Sequence, residues 1–252
     1  TYLKMAIDAA EFCLSRMMTE QNRLWHRFRD GETGITGKLD DYAFLIFGLL
    51  ELYEASFELR YLEKAIVLNR VVMDHFHDRE GGAFFMTADF DEKLIARPKE
   101  GYDGAMPSGN SIQILNLLRL SKMTGDSDLI GVAEKSLNSF AGQLKQVPSA
   151  FLQMLSAYQM MTKESLEIVI SGRQGNEDTN AVIRLLNRIY LPNKVVLLRD
   201  PATAETLGRL ASYTRNQQMV DQRATVYICR GYVCKKPETD LKRIEFLLRS
   251  GK

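Results

Sequence analysis

The sequence predicts a mainly α-helical fold, built as part of an αα-hairpin toroid and followed by a small α/β appendage. Apolar residues at helical spacing fill the chain to about residue 162, and short β-branched runs replace them after residue 165. We therefore expect residues 1–163 to form the toroid part and 164–236 the appendage. Residues 237–252 are predicted to contain a last helix that packs back on the helical body.

The toroid is predicted by an alternation of helix types. Residues 42–55, 111–120 and 150–161 are apolar on nearly every side, whereas 61–76 and 129–144 each have one polar face. A ring of buried helices wrapped by a second, half-exposed ring requires this alternation. A four-helix bundle accounts for it less well, because every helix of a bundle has one face in water.

Short strands are predicted in both parts of the chain. Residues 24–28 are predicted to form a strand on the face of the toroid, and residues 81–87 with 94–96 a β-hairpin. In the appendage we expect strands at 166–172, 194–198 and 224–229, and helices near 178–190 and 203–212.

Composition excludes several classes of function. The chain has 33 Lys and Arg against 32 Asp and Glu, so it has no charged field for nucleic acid or an anionic membrane. It has no apolar run near the roughly 20 residues of a membrane span. It begins at Thr1 without a signal-peptide pattern, which favours a trimmed or partial chain.

The cysteines point to a reducing compartment. Cys13, Cys229 and Cys234 are odd in number and fit neither a disulfide framework nor a metal site. Cys229 and Cys234 flank Arg-Gly-Tyr-Val, which is typical of a tight turn, so a cross-strand pair is an alternative to two separate thiols. We therefore predict that Cys229 and Cys234 are two separate thiols and that the protein is cytoplasmic. We also predict that it binds no metal or cofactor.

Two helices are entered through loops rich in glycine and carboxylates. Residues 37–44 read GKLDDYAF, and residues 97–110 read RPKEGYDGAMPSGN. Glycine and proline provide turns and close backbone approach, and a serine or asparagine caps the helix that follows. These two entrances form the candidate site.

Four motifs carry a family resemblance: LDDYAFL at 39–45, LELYEA at 50–55, GGAFF at 81–85 and KEGYDGAMPSGN at 99–110. With them the chain resembles the thioredoxin-domain-containing family that includes spermatogenesis-associated protein 20. The resemblance implies a toroid of the six-hairpin glycosidase type behind an N-terminal thioredoxin-like domain. That domain and its Trp-Cys signature are absent here, so we expect the missing domain or a second chain to cover the toroid.

A toroid of this type has its loops around a central cavity, and carboxylates with aromatic rings there suit a sugar. The catalytic candidates are Asp41, Glu100 and Asp103, with Asp40 as a further carboxylate. The candidates for binding the substrate are Trp25, Tyr42, Tyr102, Ser108 and Asn110. The expected ligand is a carbohydrate, and an enzyme built this way is a hydrolase or a sugar epimerase.

The same residues have structural interpretations. Asp41 and Ser108 are suited to capping helices, and Glu100 and Asp103 to bracing a turn. The second hypothesis is therefore a non-catalytic binding or scaffold domain that partners the missing thioredoxin-like domain. An epimerase needs two histidines at one cavity, and the sequence does not pair His26, His75 and His77 convincingly.

Overall fold

The computed structural model describes residues 2–250 and divides the chain into two compact units. The first contains the residues up to 121 together with 126–162, and the second contains 122–125 and the residues from 163 onward. About half of the chain is helical and it has a small mixed sheet, which confirms the mainly α-helical class.

The first unit has six helices and a two-stranded sheet among the described residues. The helices are α1 (Tyr2–Arg16), α2 (Leu39–Ser56), α3 (Leu59–His75), α4 (Gly109–Thr124, whose last residues belong to the second unit), α5 (Asp128–Gln146) and α6 (Leu152–Thr162). The strands are β1 (Trp25–Arg29) and β2 (Glu32–Thr36), paired antiparallel. The five predicted helices and the strand near 24–28 are confirmed.

The core of this unit lies among the predicted inner helices. Tyr42, Tyr53 and Tyr61 are fully buried, and α4 is buried along nearly its whole length. The polar groups of α4 are matched inside the protein: Gln113 Nε2 donates to Asn69 Oδ1, and Asn116 Nδ2 donates to the carbonyl of Ala43. Polar side chains can lie in this core because they find such partners.

The sixth helix is less buried than its composition predicts. Leu152 is 64% exposed and Tyr158 is 50% exposed, so α6 has an open face. The expectation that residues 150–161 are buried on nearly every side is wrong. Composition alone does not separate a helix in the core from one whose apolar side faces outward.

The predicted β-hairpin at 81–96 is also wrong, since the structure has only an isolated bridge between His77 and Phe84 there. Gly82 and Ala83 both have positive φ, which interrupts an extended strand. The N–H and the C=O of Phe84 bond to the side chain of Asn110 instead of to a second strand. A side chain thus replaces the partner strand.

The second unit has a four-stranded mixed sheet in the order β4-β3-β5-β6. Its strands are β3 (Leu166–Ser171), β4 (Lys194–Arg199), β5 (Thr225–Arg230) and β6 (Val233–Cys234), and its helices are α7 (Glu177–Arg188), α8 (Ala204–Leu210) and α9 (Leu241–Arg249). β3 and β4 are parallel and the other neighbours antiparallel. The predicted strands and helices of the appendage are confirmed.

The last helix, α9, contacts α7 within the second unit. Its apolar residues Ile244 and Leu248 are buried, and Asp240 caps its first turn by accepting from Arg243 N–H at 2.9 Å. The predicted packing of this helix on the helical body stays a prediction.

The cysteine prediction needs correction. Cys229 and Cys234 form a disulfide, while Cys13 is a free thiol. The tight turn predicted between them is present, with Gly231 and Tyr232 both at positive φ, as in the two-residue hairpin turns of twisted strands. The turn makes the cysteines direct cross-strand partners with Cα atoms 3.9 Å apart. The interpretation as two separate thiols is wrong because this pairing brings the sulfurs into bonding range.

Within residues 2–250, none of the helices combines the length and apolar character needed to cross a membrane.

Candidate functional site

The entrance to α2 holds Asp41 in a capping box. Asp41 Oδ2 accepts the N–H of Lys38, the N-cap residue, at 2.7 Å. This bond satisfies one of the backbone donors near the helix start, and the negative charge suits the positive end of the helix dipole. Asp41 therefore helps to cap the helix from its third position and not as the N-cap residue that the sequence suggested, and this contact uses one of the two carboxylate oxygens.

Asp41 also orients a histidine. His26 Nδ1 lies 2.9 Å from Asp41 Oδ2 and 3.1 Å from Oδ1. The His26 side chain is 51% exposed, so about half of the ring is accessible to solvent. A carboxylate that binds one imidazole nitrogen fixes the ring and leaves the second nitrogen to exchange a proton with a ligand.

Asp40 lies in a different setting from its neighbour. Its Oδ1 is buried and meets no donor among the described residues in good hydrogen-bond geometry, although the Gly109 N–H partly stabilises the carboxylate. Burial, followed by the negative charges of Asp41 and Glu100, raises the pKa of Asp40, although the Gly109 N–H and His26 oppose the shift. A carboxyl group with a raised pKa is the type of group that gives a proton in acid catalysis.

The entrance to α4 packs directly against this carboxyl group. A Cβ atom added to Gly109 would lie 2.2 Å from Asp40 Oδ1, which is closer than atoms can approach. Only a glycine leaves room for the carboxyl group in this position. Gly109 therefore joins the two loop entrances that the sequence singled out.

Glu100 is exposed in the loop before α4. Its backbone carbonyl accepts Asn110 Nδ2 at 2.8 Å, which fixes the backbone at this point. Its charge contributes to the raised pKa of Asp40, so the two carboxylates are electrostatically coupled. No further side-chain partner of Glu100 is described, so its carboxylate is available to a ligand.

Asp103 is fully engaged in holding the fold. Its Oδ1 accepts the N–H of Ser108 at 2.9 Å, and its Oδ2 accepts those of Gln153 and Met154 at 2.9 and 3.1 Å. The last two donors belong to the first turn of α6, whose backbone N–H groups lack helical partners. Asp103 thus ties the loop before α4 to the start of α6.

Asn110 and Ser108 are likewise used inside the protein. Asn110 is fully buried and makes three hydrogen bonds, to the N–H and C=O of Phe84 and to the C=O of Glu100. Ser108 Oγ accepts the N–H of Ser111 at 3.2 Å, so Ser108 caps α4 as the sequence suggested. Both side chains shape the loop that carries Glu100.

The aromatic candidates differ in exposure. Tyr102 is 59% exposed and Trp25, at the start of β1, is half-buried. Tyr42 has no exposed surface: its hydroxyl accepts the N–H of Leu24 at 2.8 Å, and burial raises its pKa. Tyr102 and Trp25 therefore have ring surface for a ligand, whereas Tyr42 belongs to the core.

The structure brings Asp41 and Glu100 into the electrostatic environment of Asp40, and it gives Asp103, Ser108 and Asn110 internal partners. Our sequence interpretation underrated Asp40 and did not assign His26 a role. The adjacent pair Asp40-Asp41 was a usable signal, because successive helix positions point in different directions and only one of the pair can make the capping-box contact.

A second histidine–carboxylate pair lies elsewhere in the first unit. His75 Nδ1 lies 2.8 Å from Asp89 Oδ1, and the His75 ring packs edge-on against Phe90. Arg97 holds this segment by donating to the carbonyls of His75 and Thr87. Across residues 2–250, no group of three or more His, Cys, Asp or Glu side chains is placed to hold a metal ion.

No family model matches the chain. The chain is 38% identical over 213 residues to spermatogenesis-associated protein 20 of Rattus norvegicus, and 36% identical over the same length to the human protein of that name. Each alignment covers 84% of this chain and 27% of the relative. An uncharacterised protein of Caenorhabditis elegans is 29% identical over 255 residues, which covers 98% of this chain and 34% of that protein.

The chain spans about a quarter of the length of the first of these curated relatives. At this level of identity, the chain is homologous to part of spermatogenesis-associated protein 20.

Proposed function

We propose that the first unit is part of an α/α toroid of the six-hairpin glycosidase type, and that its loop face binds a carbohydrate and performs acid–base chemistry on it. The observation that carries the proposal is Asp40: a carboxyl group with a buried, unpartnered oxygen and a raised pKa, beside two further carboxylates. Titratable groups that lower the stability of a fold are found most often at sites where they take part in catalysis or binding.

The roles follow from the geometry. Asp40 is the proton donor, because burial raises its pKa in the direction that a general acid requires. The Asp41–His26 pair is the base, since Asp41 orients the ring and about half of the ring is accessible to solvent. Glu100 is the second carboxylate of the site, and its role is to stabilise the positive charge that a sugar develops during cleavage. Trp25 and Tyr102 supply ring surface for stacking, and Asp103, Ser108 and Asn110 hold the loop.

The test combines ligand binding with product analysis. The whole chain and two variants, Asp40→Asn and Asp78→Asn, are screened by thermal shift against mono- and disaccharides. Asp78 is the matched control, because it is a carboxylate of the same unit whose partner is Lys99. We expect a sugar to raise the melting temperature of the parent and the control and to give less or no shift with Asp40→Asn.

Analysis of the reaction products then distinguishes hydrolysis from epimerisation. Release of a reducing sugar from a disaccharide indicates hydrolysis, whereas deuterium uptake from D2O into a free sugar indicates epimerisation, a proton exchange at carbon. The His26–Asp41 pair is the observation that favours the epimerase alternative, because it leaves an imidazole available for proton exchange at carbon. Folded protein that binds no sugar and forms neither product would contradict both.

The second candidate function is a non-catalytic scaffold that partners a thioredoxin-like domain. It is favoured by a groove of about 390 Å³ along α5 and α6, lined mostly by apolar side chains, with Tyr158 half exposed. It predicts that a separate thioredoxin-like domain of a homologue binds this chain, and that Tyr158→Ala weakens the complex. Titration calorimetry measures both, and heat without dependence on Tyr158 would place the contact elsewhere.

A further inference from the structure

The second unit contains an arrangement of groups that the proposed carbohydrate site does not use. Cys229 and Cys234 are opposite one another on β5 and β6, and Glu167 on β3 is opposite Cys229. Residues directly opposite on neighbouring antiparallel strands share one face of a sheet, with Cβ atoms about 5 Å apart. Glu167, Cys229 and Cys234 thus form a continuous row across three strands, which we call the disulfide row.

From this row we infer that Cys229–Cys234 is a thiol–disulfide exchange centre, in which Cys234 exchanges with an external thiol and Glu167 handles the proton of Cys229. The co-reactant belongs to the class of small thiols and dithiols. This inference concerns the second unit and is independent of the carbohydrate proposal.

The two sulfurs have unequal access to solvent. Cys229 has no exposed surface, whereas Cys234 is an exposed residue on the two-residue edge strand β6. An incoming thiolate can therefore reach Cys234 and not Cys229. The free thiol Cys13 does not offer this chemistry, because burial raises its pKa and keeps it protonated.

The disulfide bond adds little to the stability of the β5–β6 hairpin. The cysteines are only five positions apart, and a disulfide that closes so short a loop removes little entropy from the unfolded chain. The turn at Gly231 and Tyr232 and the N–H of Lys235, which donates to the carbonyl of Ile228, already hold the hairpin. A bond that the fold does not need is consistent with a chemical role.

A side-chain donor stabilises the reduced form. Gln217 is nearly buried, and its Nε2 lies 3.3 Å from Cys234 Sγ and 3.9 Å from Cys229 Sγ. An N–H group bonds a thiolate more strongly than the weakly accepting sulfur of a disulfide. The donor therefore favours the state in which Cys234 is a thiolate.

Glu167 is a carboxyl group with no exposed surface beside the buried sulfur. Its Oε2 accepts the N–H of Tyr232 at 3.1 Å, and its Oε1 lies 3.6 Å from Lys122 Nζ. A buried thiolate at Cys229 would be costly unless it took up a proton, and Glu167 is the titratable side chain next to it in the row, so it can relay that proton. The charged or titratable groups around the row are Lys122, Tyr232 and Tyr213, which packs against Tyr232.

The exchange takes place in two displacement steps. A thiolate of the dithiol attacks Cys234 Sγ, a new S–S bond forms to Cys234, and the Cys229–Cys234 bond breaks, so that Cys229 leaves with the electron pair. The Cys229 thiolate takes up a proton from solvent, which Glu167 relays, so that Glu167 begins and ends the step as the partner of Lys122. The second thiolate of the reagent then attacks the reagent sulfur that is bonded to Cys234. This closes the cyclic disulfide of the reagent and releases Cys234 as a thiolate. The protein gains two electrons, and the dithiol becomes a cyclic disulfide.

The first experiment measures equilibrium in the whole chain carrying Cys13→Ala. The folded protein is incubated in glutathione buffers of increasing reducing strength, and its thiols are counted by gel shift after modification with a maleimide polymer. We expect conversion from disulfide to dithiol within the range of these buffers. A folded protein that stays fully oxidised at every ratio would overturn the inference and mark the bond as structural.

The second experiment identifies the reacting sulfur without depending on Glu167. In the Cys13→Ala background, Cys229→Ser leaves only the exposed Cys234, and Cys234→Ser leaves only the buried Cys229. We expect oxidised glutathione to form a mixed disulfide with the first variant at least about tenfold faster than with the second. Equal rates in two folded proteins would contradict the assigned order of attack.

The third experiment tests the proton. The rate of reduction by dithiothreitol is measured between pH 6 and 9 for the parent, for Glu167→Gln and for Glu164→Gln. Glu164 is the matched control, a carboxylate just before β3 that is 77% exposed and pairs with Arg230. We expect Glu167→Gln to slow reduction about tenfold or more at pH 7 and to change the pH profile, with the control unaffected. Identical profiles for both folded variants would remove Glu167 from the mechanism.

Discussion

The two loop entrances of the first unit hold carboxylates that resemble each other in sequence and differ in chemistry. Asp103 accepts three backbone N–H groups and joins two elements. Asp40 has a buried oxygen with no hydrogen bond and two negative neighbours. The side chain of Asp103 stabilises the fold through these hydrogen bonds, whereas burial penalises the ionised form of Asp40. A carboxylate whose charge the surrounding groups stabilise poorly is therefore the better functional candidate.

The largest expected effect is that of removing Asp103. Asp103→Ala leaves the N–H groups of Ser108, Gln153 and Met154 without their acceptor. We expect the free energy of unfolding to fall by about 3 kcal/mol, since hydrogen bonds to charged groups contribute about 1.5–3 kcal/mol each and the donors can partly recover water. Urea denaturation measures it.

Asp103→Asn is the control for this change, because an amide keeps one acceptor oxygen. Its loss of stability should be about half as large. If Asp103→Ala unfolds with unchanged stability and instead abolishes ligand binding, the contrast between the two carboxylates fails.

The next effect tests the contact between the two entrances. Gly109→Ala introduces a methyl group 2.2 Å from Asp40 Oδ1, and we expect a loss of about 2 kcal/mol. The double variant Asp40→Ala/Gly109→Ala should lose less than the sum of the two single variants, because the clash with the carboxylate has gone. Additive losses in the double-mutant cycle would show that the strain lies in the backbone.

Asp78 provides a third, intermediate case, in which a cation is the principal partner. Lys99 Nζ lies 2.7 Å from Asp78 Oδ2, and this bond together with the Gly81 N–H lowers the pKa of Asp78 to about 2. The lower pKa in the folded state stabilises the protein above pH 4, and the stabilisation is lost as the pH falls toward 2.

We therefore expect Asp78→Asn to lose about 1 kcal/mol at pH 7, a value reduced by the partial exposure of the pair, and almost nothing near pH 2. Unfolding curves at both pH values measure the difference. An equal loss at the two pH values would mean that the ion pair is not its cause.

The smallest effect has the opposite sign. Because the pKa of Asp40 is raised in the folded state, ionisation of Asp40 destabilises the protein above the folded pKa, and the penalty disappears below the pKa of the unfolded chain. Asp40→Asn should therefore stabilise the protein at pH 7 by up to about 1 kcal/mol, with no gain near pH 3. Thermal unfolding at the two pH values is the measurement. A variant less stable than its parent at pH 7 would contradict the assignment of Asp40 as an unsatisfied acid.

Local patterns were sufficient for much of the fold. The helical spacing of apolar residues predicted α2 to α6, because a helix has 3.6 residues per turn and residues three or four positions apart lie on one face. The β-branched runs predicted β3, β4 and β5. The failures at 81–96 and at the exposed face of α6 arise because backbone partners and burial depend on residues far away in the chain, such as Asn110 bonding Phe84.

The amino-acid sequence alone was sufficient to predict the helix-rich class, the two glycine-rich entrances, the capping role of Ser108, and the turn between Cys229 and Cys234. These are local properties, since each depends on residues within a few positions.

Tertiary contacts, in contrast, determine which carboxylates find hydrogen-bond donors or a cation. Asp103 meets donors about 50 positions away at α6, Asp40 lies against Gly109, and Glu167 is brought opposite the disulfide. Hydrogen bonding, desolvation and neighbouring charge act through space, and a chain position does not reveal which of the three a carboxylate will meet.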